Sequence, residues 1–451
     1  MATQLKKQVC TAGGYDYTAL ETCMNANEQN LVTADKYFDV EIIGNNSGAD
    51  PTACVIHNYT TDETRYINVY TTGAARHLGI FSTSYYRLST GASRGIFIYA
   101  HHLTIDGLQI TTTSADAIRS DDYYHNFVIK NNILKGTSGG GSGLIISQPR
   151  GTNYIYNNIS YNWTADYARG LSPAGGGGDD STNIYVYNNT CYNCYVPLDC
   201  NSSCLNFVCS NNLALKHTGG TGEGTIYRPD YAESGSNNAS SDDKADDSPL
   251  TSGLINYATY ADYFVDVTAT SEDLHLKTDS PFIDAGANLS AVVTVDIDGT
   301  ARSAPLDIGA DEYFAPTNFS RGDYAALPST EADLENIYTS GEISQVASDN
   351  ADRVSQSAIA QYAIHQYKTD VGVNISWTFH WNGQSSLAPS TSVVKLQIYD
   401  IEGTTWEDLD EDNAAAANTD FDLTATVTSD LDHYKDVNNV VTCRVYQQWH
   451  E

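Results

Sequence analysis

Basic residues are scarce in this chain. Its 451 residues include 23 Lys and Arg against 56 Asp and Glu, which gives a formal net charge of −33 at pH 7. A surface of this sign repels phosphate groups, so the charge argues against binding to nucleic acid or to an anionic membrane. Acidic residues are spread along the whole chain, which predicts a solvated acidic surface rather than an acidic tail.

Long apolar runs are also missing. The sequence has no stretch of about 18 apolar residues, so we expect no membrane-spanning helix. Its first residues, MATQLKKQVCTAGGYDY, include two lysines but lack the apolar stretch of a secretory signal peptide. We therefore expect synthesis in a cytoplasm without export by the usual route.

A short motif recurs five times between residues 104 and 214. The copies read TIDGLQI, VIKNNIL, YIYNNIS, YVYNNTC and VCSNNLA. Aligned on Gly107, Asn131, Asn157, Asn188 and Asn211, they are 24, 26, 31 and 23 residues apart. A repeat of this period is typical of solenoids. One strand per turn with a polar Asn at the bend predicts an all-β, right-handed parallel β-helix, with turns about 4.8 Å apart and stacked Asn side chains.

The pattern divides the chain into three predicted regions. Residues 36–313 form the β-helix, and residues 1–35 form a short helical cap over its open end. Within the cap, Tyr15–Leu31 has apolar residues at helical spacing. Thr18 and Glu21 near its start are spaced as in a capping box.

Residues 314–451 are predicted to form a separate antiparallel β-sandwich that resembles a jelly roll. Apolar and polar residues alternate in four segments, which is the period of half-buried strands. We expect Trp377, Trp381 and Trp406 to be core or interface residues rather than a glycan platform. The four segments are Val373–Trp381, Val393–Ile401, Phe421–Val427 and Val440–Tyr446.

Five of the nine cysteines are close together in the sequence, with the spacing C-x2-C-x5-C-x3-C-x4-C. The first pair has zinc-ligand spacing, but the second half does not repeat C-x2-C, so we predict no zinc. Packing in the core and a disulfide are the alternatives. Cys10 and Cys23 could form a disulfide. The five clustered cysteines are Cys191, Cys194, Cys200, Cys204 and Cys209.

Residues 272–313 contain EDLHLKTDSPFIDAG and VDIDGTARSAPLDIGADEY. This run resembles the terminating module of many bacterial and phage right-handed β-helix proteins. The resemblance implies a structural element that closes the coil, with a cation site as the alternative. The run WNGQSSLAPSTSVVKLQIYDIEGTTWEDL resembles C-terminal domains of phage-encoded and metagenomic β-helix proteins. The matched positions of the module are Ser280, Pro281, Asp284, Gly286, Asp296, Asp298, Gly299, Arg302, Asp307, Gly309 and Glu312.

The right-handed β-helix is the fold of pectate and pectin lyases, polygalacturonases and phage tailspike depolymerases. The resemblance therefore raises polysaccharide cleavage, although a fold alone does not fix a function. The best catalytic candidates are Arg119, Asp121 and Asp122 on one turn, with Arg150 on the next. Such a group could hold Ca²⁺ and supply a base, or it could be a polar loop with paired charges.

Few other residues support catalysis. His101 and His102 lie on another turn than the four candidates. The outer face of the turn-opening strands is predicted to carry Ile98, Ser120, Ser147 and Asp199, which is a sparse set for a catalytic groove.

These observations favour a non-catalytic virion structural protein without a cofactor, such as a capsid decoration, fibre or spike of a bacteriophage. The missing signal peptide is consistent with a phage protein, which leaves its host by lysis. We expect a homotrimer that assembles with other virion proteins such as the capsid and contacts host-surface polysaccharide. The alternative is a polysaccharide lyase or hydrolase.

Overall fold

The computed structural model divides into two compact units, Met1–Tyr313 and Phe314–Glu451. In the part of the chain that it describes, no helix has the length and apolar character needed to cross a membrane. The described residues are 2–44, 48–121, 123–137, 139–175, 182–199, 206–217, 233–246, 250–277, 280–302, 304–313, 319–346, 353–371, 376–436 and 440–448.

The first unit is a right-handed parallel β-helix, which confirms the predicted fold class. Three parallel sheets run along it, and the chain visits each sheet once per turn. Sheet A consists of Thr3–Val9, Lys36–Ile42, Ile67–Thr71, Leu103–Asp106, Phe127–Lys130, Thr152–Tyr156, Asn183–Tyr187, Asn206–Ser210 and Glu233–Ser234. Sheet B consists of Arg87–Ser89, Gln109–Thr112, Ile133–Gly136, Ile159–Tyr161, Thr190–Cys194, Leu213–Lys216 and Ala239–Ser240. Sheet C consists of Cys54–Ile56, Ile96–Ile98, Ile118–Ser120, Leu144–Ser147, Arg169–Gly175 and Val196–Leu198.

Alternation along each strand builds the core of the coil. In sheet A, apolar residues that are at most 2% exposed lie opposite one another on successive turns. Each such side chain contributes roughly 1.5–3 kcal/mol by leaving water. One inward row consists of Val40, Val69, Ile105, Ile129, Ile155, Val186 and Cys209.

The asparagine bends lie at equivalent corners, as predicted. Gly107 and the four aligned asparagines all have positive φ, between 49° and 79°. The Asn157 side chain donates to Asn131 Oδ1 at 3.2 Å. A second asparagine at each bend belongs to a buried ladder. In this ladder the side-chain Nδ2 of one asparagine donates to the side-chain Oδ1 of the asparagine one turn further along, at 2.9–3.0 Å. The ladder consists of Asn132, Asn158, Asn189, Asn212 and Asn238.

The predicted cap differs from the observed N-terminal region in two ways. Thr3–Val9 is a strand that pairs in parallel with Lys36–Ile42, so the coil already begins inside the predicted cap. Two lysines lie within this strand and obscure its alternation of apolar and polar residues. The sequence prediction therefore did not identify the strand. The helical part is shorter than predicted and consists of Leu20–Ala26 and Leu31–Ala34.

The predicted capping box is wrong. The helix begins after Ala19, which makes no side-chain cap. Instead, Asp50 accepts a hydrogen bond from Leu20 N–H at 2.8 Å, and Glu21 accepts one from Val55 N–H at 2.6 Å. Contacts with the next turn of the coil have replaced the local cap.

The module of residues 264–313 lies along the flank of the coil, and the expectation that it closes the coil is wrong. It packs on outward apolar residues of sheet B, such as Ile133, Ile159 and Leu213, and forms a second hydrophobic core there. It also bonds the corner asparagines: Asn188 and Asn211 donate to backbone carbonyls of the module at 2.9 and 2.8 Å. The module begins with the antiparallel pair Phe264–Asp266 and Asp273–Leu276.

Buried charges hold this module together. His275 lies between Asp273 and Asp298, at 2.6 and 2.9 Å from its two ring nitrogens. Burial alone would lower the pKa of His275, but the carboxylates of Asp298, Asp311 and Asp273 hold that pKa well above its usual value. Burial raises the pKa of Asp311 to about 6 and that of Asp307 to about 7.

The raised pKa of His275 predicts that the first unit loses stability in a pH window that begins at about 6.5, the pKa of an unfolded histidine, and extends upward. A group whose pKa is raised on folding stabilises the folded unit. This contribution is complete at pH values below the pKa of the group in the unfolded chain, and it is lost as the pH rises through the pKa of the group in the folded unit. His77 and His101 have lowered pKa values near 4, so they are neutral in both states over most of this window. Thermal unfolding measured across the window should show a falling midpoint. The same series for His275→Gln should be flatter, and an unchanged slope would contradict this assignment.

The clustered cysteines are core residues, but they do not stack on one another. Cys191 lies opposite Ala214 in sheet B, whereas Cys209 lies opposite Val186 in sheet A. The predicted Cys10–Cys23 disulfide is absent, since Cys23 is a free buried thiol. Cys200 and Cys204 lie outside the described residues, and the absence of zinc stays a prediction.

The described cysteines should resist thiol reagents in the folded protein. All seven are buried, and burial raises the pKa of the Cys194 thiol to about 12. Because the thiolate is the reactive form, labelling should require unfolding. Peptide-level mass spectrometry after brief alkylation checks this. Fast modification of Cys191, Cys194 or Cys209 in the folded protein would contradict it.

The second unit is an antiparallel β-sandwich. In its large sheet the strands follow the order Asn336–Ile337, Ser320–Tyr324, Tyr362–Asp370, Val440–Gln448, Val394–Asp400 and Thr405–Asp412. A small sheet pairs Trp377–Gly383 with Phe421–Val427. Its helices are Ser340–Val346 and Leu431–Tyr434. The order is jelly-roll-like. Tyr362–Asp370 pairs with the last strand of the chain, Val440–Gln448. The next strand in sequence, Trp377–Gly383, pairs with the penultimate strand, Phe421–Val427. Trp377 is in the core and Trp381 packs at its edge.

Candidate functional site

The outward face of sheet C carries aromatic and charged side chains on adjacent turns of the coil. Phe97 lies opposite Arg119 on adjacent turns, and both are partly exposed. The neighbouring Ile98 and Ser120 are fully buried. The prediction that Ile98 and Ser120 face outward is therefore wrong by one residue, and such a shift moves every side chain of a strand to the other face.

Six rings form a continuous series, which we call the aromatic track. It begins on this face at Phe97 and continues into the two connections that follow Ile96–Ile98 and Ile118–Ser120. The first contact is between Phe97 and Tyr99, whose ring centroids are 4.3 Å apart, and Tyr99 meets Tyr124 at 5.8 Å. Each remaining ring contacts the next at 4.1–5.8 Å. The track consists of Phe97, Tyr99, Tyr124, His101, His125 and His102.

Arginines lie on both sides of the track. The Arg94 guanidinium is 4.5 Å from the centre of the Phe97 ring, and the Arg150 guanidinium is 4.0 Å from the centre of the Tyr123 ring. Tyr123 is 53% exposed, so this stacked pair is open to a ligand. Cation–π contact holds both guanidinium groups flat against the rings.

The structure brings together two of the four predicted catalytic residues. Arg119 bonds Asp121 at 2.8 Å and Asp116 at 2.9 Å. Arg150 lies apart from them, at the corner after sheet C, where it forms a backbone bridge with His125. Asp122 lies outside the described residues.

The carboxylates at Arg119 do not fit a calcium site. Both Asp116 and Asp121 bond the guanidinium, whereas Ca²⁺ needs several oxygens directed at one point. Among the described residues, the group that brings three metal-ligand side chains within 4.8 Å is His275, Asp298 and Asp311 in the flanking module. There the histidine already bonds carboxylates through both ring nitrogens, so it acts as the cation of that group.

Two histidines of the track, His101 and His102, are neutral at pH 7. Burial lowers the pKa of His101 to about 4, with a further contribution from His125 and His102. Burial also lowers the pKa of His102. His101 Nδ1 is buried without a hydrogen-bond partner in the described part of the chain. A neutral imidazole with an unused nitrogen can accept or donate one hydrogen bond to a ligand hydroxyl.

Two predicted outer residues remain. Ser147 is partly exposed on sheet C, and Asp199 lies further along the sheet and forms an ion pair with Arg169. On these later turns Ile145 and Ser172 are nearly buried.

Sequence reasoning could have found this face. The segment GIFIY, Gly95–Tyr99, alternates between aliphatic and aromatic residues, and the aliphatic ones belong inside. Choosing Ile96 and Ile98 as the inward pair places Phe97 and Tyr99 outside.

Comparison with known proteins yields a fold likeness only. No protein-family model matches the chain, and no curated protein matches its sequence. A crystal structure of pectate lyase Pel9A is similar to it, with 12% identity and a TM-score of 0.40. That match covers 70% of this chain and 97% of the lyase chain. A likeness of this degree carries no argument about function.

Proposed function

We propose that this protein is a non-catalytic virion component that binds a host-surface polysaccharide along the aromatic track of sheet C. The observation that carries the saccharide-binding part is the continuous series of six rings with arginines on both sides. Sugar rings present apolar C–H faces, which pack on aromatic rings, and hydroxyl groups, which need polar partners at the edges.

The charges beside the track suit hydroxyl groups. Arg119 shares its donors between Asp116 and Asp121, which fixes both carboxylates as oriented acceptors. Arg94 is a further donor at the edge. Charge-assisted hydrogen bonds of this kind are directional, so they would select sugar stereochemistry while the rings supply contact area.

The virion part of the proposal rests on the resemblance of residues 272–313 to β-helix proteins of bacteria and phages. A β-helix suits a projecting rod, because its backbone hydrogen bonds are satisfied between turns. Mass spectrometry of purified particles would find the chain there, and chemical cross-linking would give a trimer. Absence of the chain from purified particles would overturn the virion role. The saccharide-binding role would then be tested separately by the binding experiments below.

Removing two rings of the track should weaken polysaccharide binding. We expect Tyr99→Ala with Tyr124→Ala to raise the dissociation constant at least about tenfold, since losing roughly 1.4 kcal/mol of contact energy has that effect. Affinity electrophoresis against a panel of neutral and acidic polysaccharides measures this.

The matched control replaces a tyrosine on another outward face. Tyr154 of sheet A stacks on Tyr185 at 4.9 Å and is partly exposed, so Tyr154→Ala also removes an outward ring. Binding should survive this change. Equal losses in the two variants, or no binding to any polysaccharide of the panel, would contradict the assignment of the track.

The neutral His101 favours a depolymerase as the second candidate function. An imidazole that is unprotonated at pH 7 could take a proton from a bound sugar. Such an enzyme would release reducing ends or unsaturated products from the panel, and His101→Asn would abolish the release while binding persisted. Binding without release in the unaltered protein supports the non-catalytic function.

A further inference from the structure

The second unit contains a cavity that the proposed function does not use. Its volume is about 630 Å³, which is in the usual range for small-molecule sites. We propose that this cavity is a second binding site, specific for an uncharged sugar unit of one or two rings. It is separate from the aromatic track and does not depend on it.

The cavity arises from the unequal sizes of the two sheets. The large sheet has six strands and the small sheet has two. Val394, Leu396 and Cys443 of the large sheet pack against the small sheet and form the core. Beyond them, the inward side chains of Tyr362–Asp370 lack this cover, and the cavity lies there. Leu396 and Cys443 form its inner end.

Aromatic rings line the cavity on both sides. Tyr367 and Phe319 lie on the side of the large sheet, with ring centroids 5.2 Å apart at 82°. Phe379 and Trp381 lie on the side of the small sheet. The Trp381 indole donates to the Tyr367 hydroxyl at 3.0 Å, which fixes the orientation of both rings. Rings held in this way offer flat surfaces at little cost in side-chain entropy.

The polar groups of the cavity are mainly uncharged. The Tyr338 hydroxyl and His365 Nδ1 are 2.5 Å apart. Burial lowers the pKa of His365 to about 4, so this imidazole is neutral at pH 7. Arg353 and His380 also line the cavity, and each already contacts a carboxylate: Arg353 bonds Asp420 at 2.7 Å, and His380 lies 3.1 Å from Asp422. A charged ligand would meet no dedicated counter-ion here.

The strand edge supplies further hydrogen-bonding groups. Consecutive residues from Thr378 to Ser386 line the cavity, which is the pattern of a strand that presents its edge. Within the described part of the chain, Trp377–Gly383 pairs only with Phe421–Val427. Its other edge therefore offers backbone N–H and C=O groups. Hydroxyl groups, which both donate and accept, match such an edge.

Calorimetry and saturation-transfer NMR on the full chain test this site. The neutral probes are methyl glucoside, methyl galactoside and N-acetylglucosamine. Glucuronate and galacturonate test charge, and benzyl alcohol tests binding of an aromatic ring that lacks a sugar. We expect at least one neutral probe to bind, with Trp381→Phe and Tyr338→Phe each weakening it at least about tenfold.

Trp406→Phe is the matched control, because Trp406 stacks on Arg444 at 4.0 Å and does not line the cavity. Binding should be unchanged in this variant and in Tyr99→Ala with Tyr124→Ala, which separates this site from the aromatic track. Unfolding midpoints show which variants keep the fold. Three results would each overturn the proposal. The first is that no neutral probe binds, and the second is that an acidic probe or benzyl alcohol binds as tightly as the neutral probes or more tightly. The third is that folded Trp381→Phe and Tyr338→Phe bind as well as the unaltered protein.

Discussion

Arg302→Met should destabilise the first unit by about 3–5 kcal/mol, the usual cost of breaking a buried ion pair from one side. The Arg302 side chain is fully buried and bonds Glu312 at 2.8 Å. It also donates to Asn157 Oδ1 at 3.1 Å and to the Gly309 and Ala310 carbonyls at 2.9 and 2.7 Å. Methionine fills much of the volume but leaves the Glu312 carboxylate buried without its cation. Chemical unfolding followed by fluorescence measures the loss.

Two further variants separate the charge from the volume. Arg302→Met with Glu312→Gln should recover part of the loss, because the double variant leaves no uncompensated charge. Arg65→Met removes a partly exposed arginine that bonds Asp35 and Asp62, and it should cost far less than Arg302→Met, because solvent screens this ion pair. Similar losses for Arg302→Met and Arg65→Met would show that Arg302 does not fasten the flanking module.

Asn189→Ala should destabilise the coil by about 2–4 kcal/mol, since it leaves several buried polar groups without partners. Asn189 Oδ1 accepts from the backbone and side-chain nitrogens of Asn158, both at 3.0 Å. Its Nδ2 donates to the carbonyls of Ile155 and Tyr187 and to Asn212 Oδ1, at 2.9–3.0 Å. Thermal unfolding of the full chain measures the loss.

The matched control for the ladder is Asn206→Ala. Asn206 is exposed, and its side chain donates to Asn183 Oδ1 at 2.7 Å. Water can replace that bond, so we expect a change within about 0.5 kcal/mol. Equal effects of the two substitutions would mean that the ladder contributes no more than a surface pair.

The repeat allowed the coil to be predicted from sequence because it is local. Each bend needs a residue that tolerates positive φ and a side chain that can bond its counterpart one turn away. Asn131 and Asn132, with their copies, meet both needs. This signal recurs at a fixed period, so it fixes which residues stack without knowledge of distant contacts.

Other features could not be read from local pattern. The flanking position of residues 264–313 depends on contacts such as Asn188 to the Asp307 carbonyl, across 119 residues of sequence. At Ile118–Ser120 of sheet C, three residues give too little alternation from which to choose the inward set, so Ser120 was assigned one residue out of phase. The cavity of the second unit follows from unequal sheet sizes, which no single strand reveals.

Hydrogen exchange in the presence of an oligosaccharide of the bound polysaccharide tests the central claim most directly. Binding along the aromatic track predicts slower exchange in peptides that cover residues 96–102 and 118–125. Residues 152–156 of sheet A, which carry the partly exposed Tyr154, should exchange at an unchanged rate. Protection of residues 152–156 instead, or no protection of 96–102 and 118–125 at saturating oligosaccharide, would contradict the proposed site.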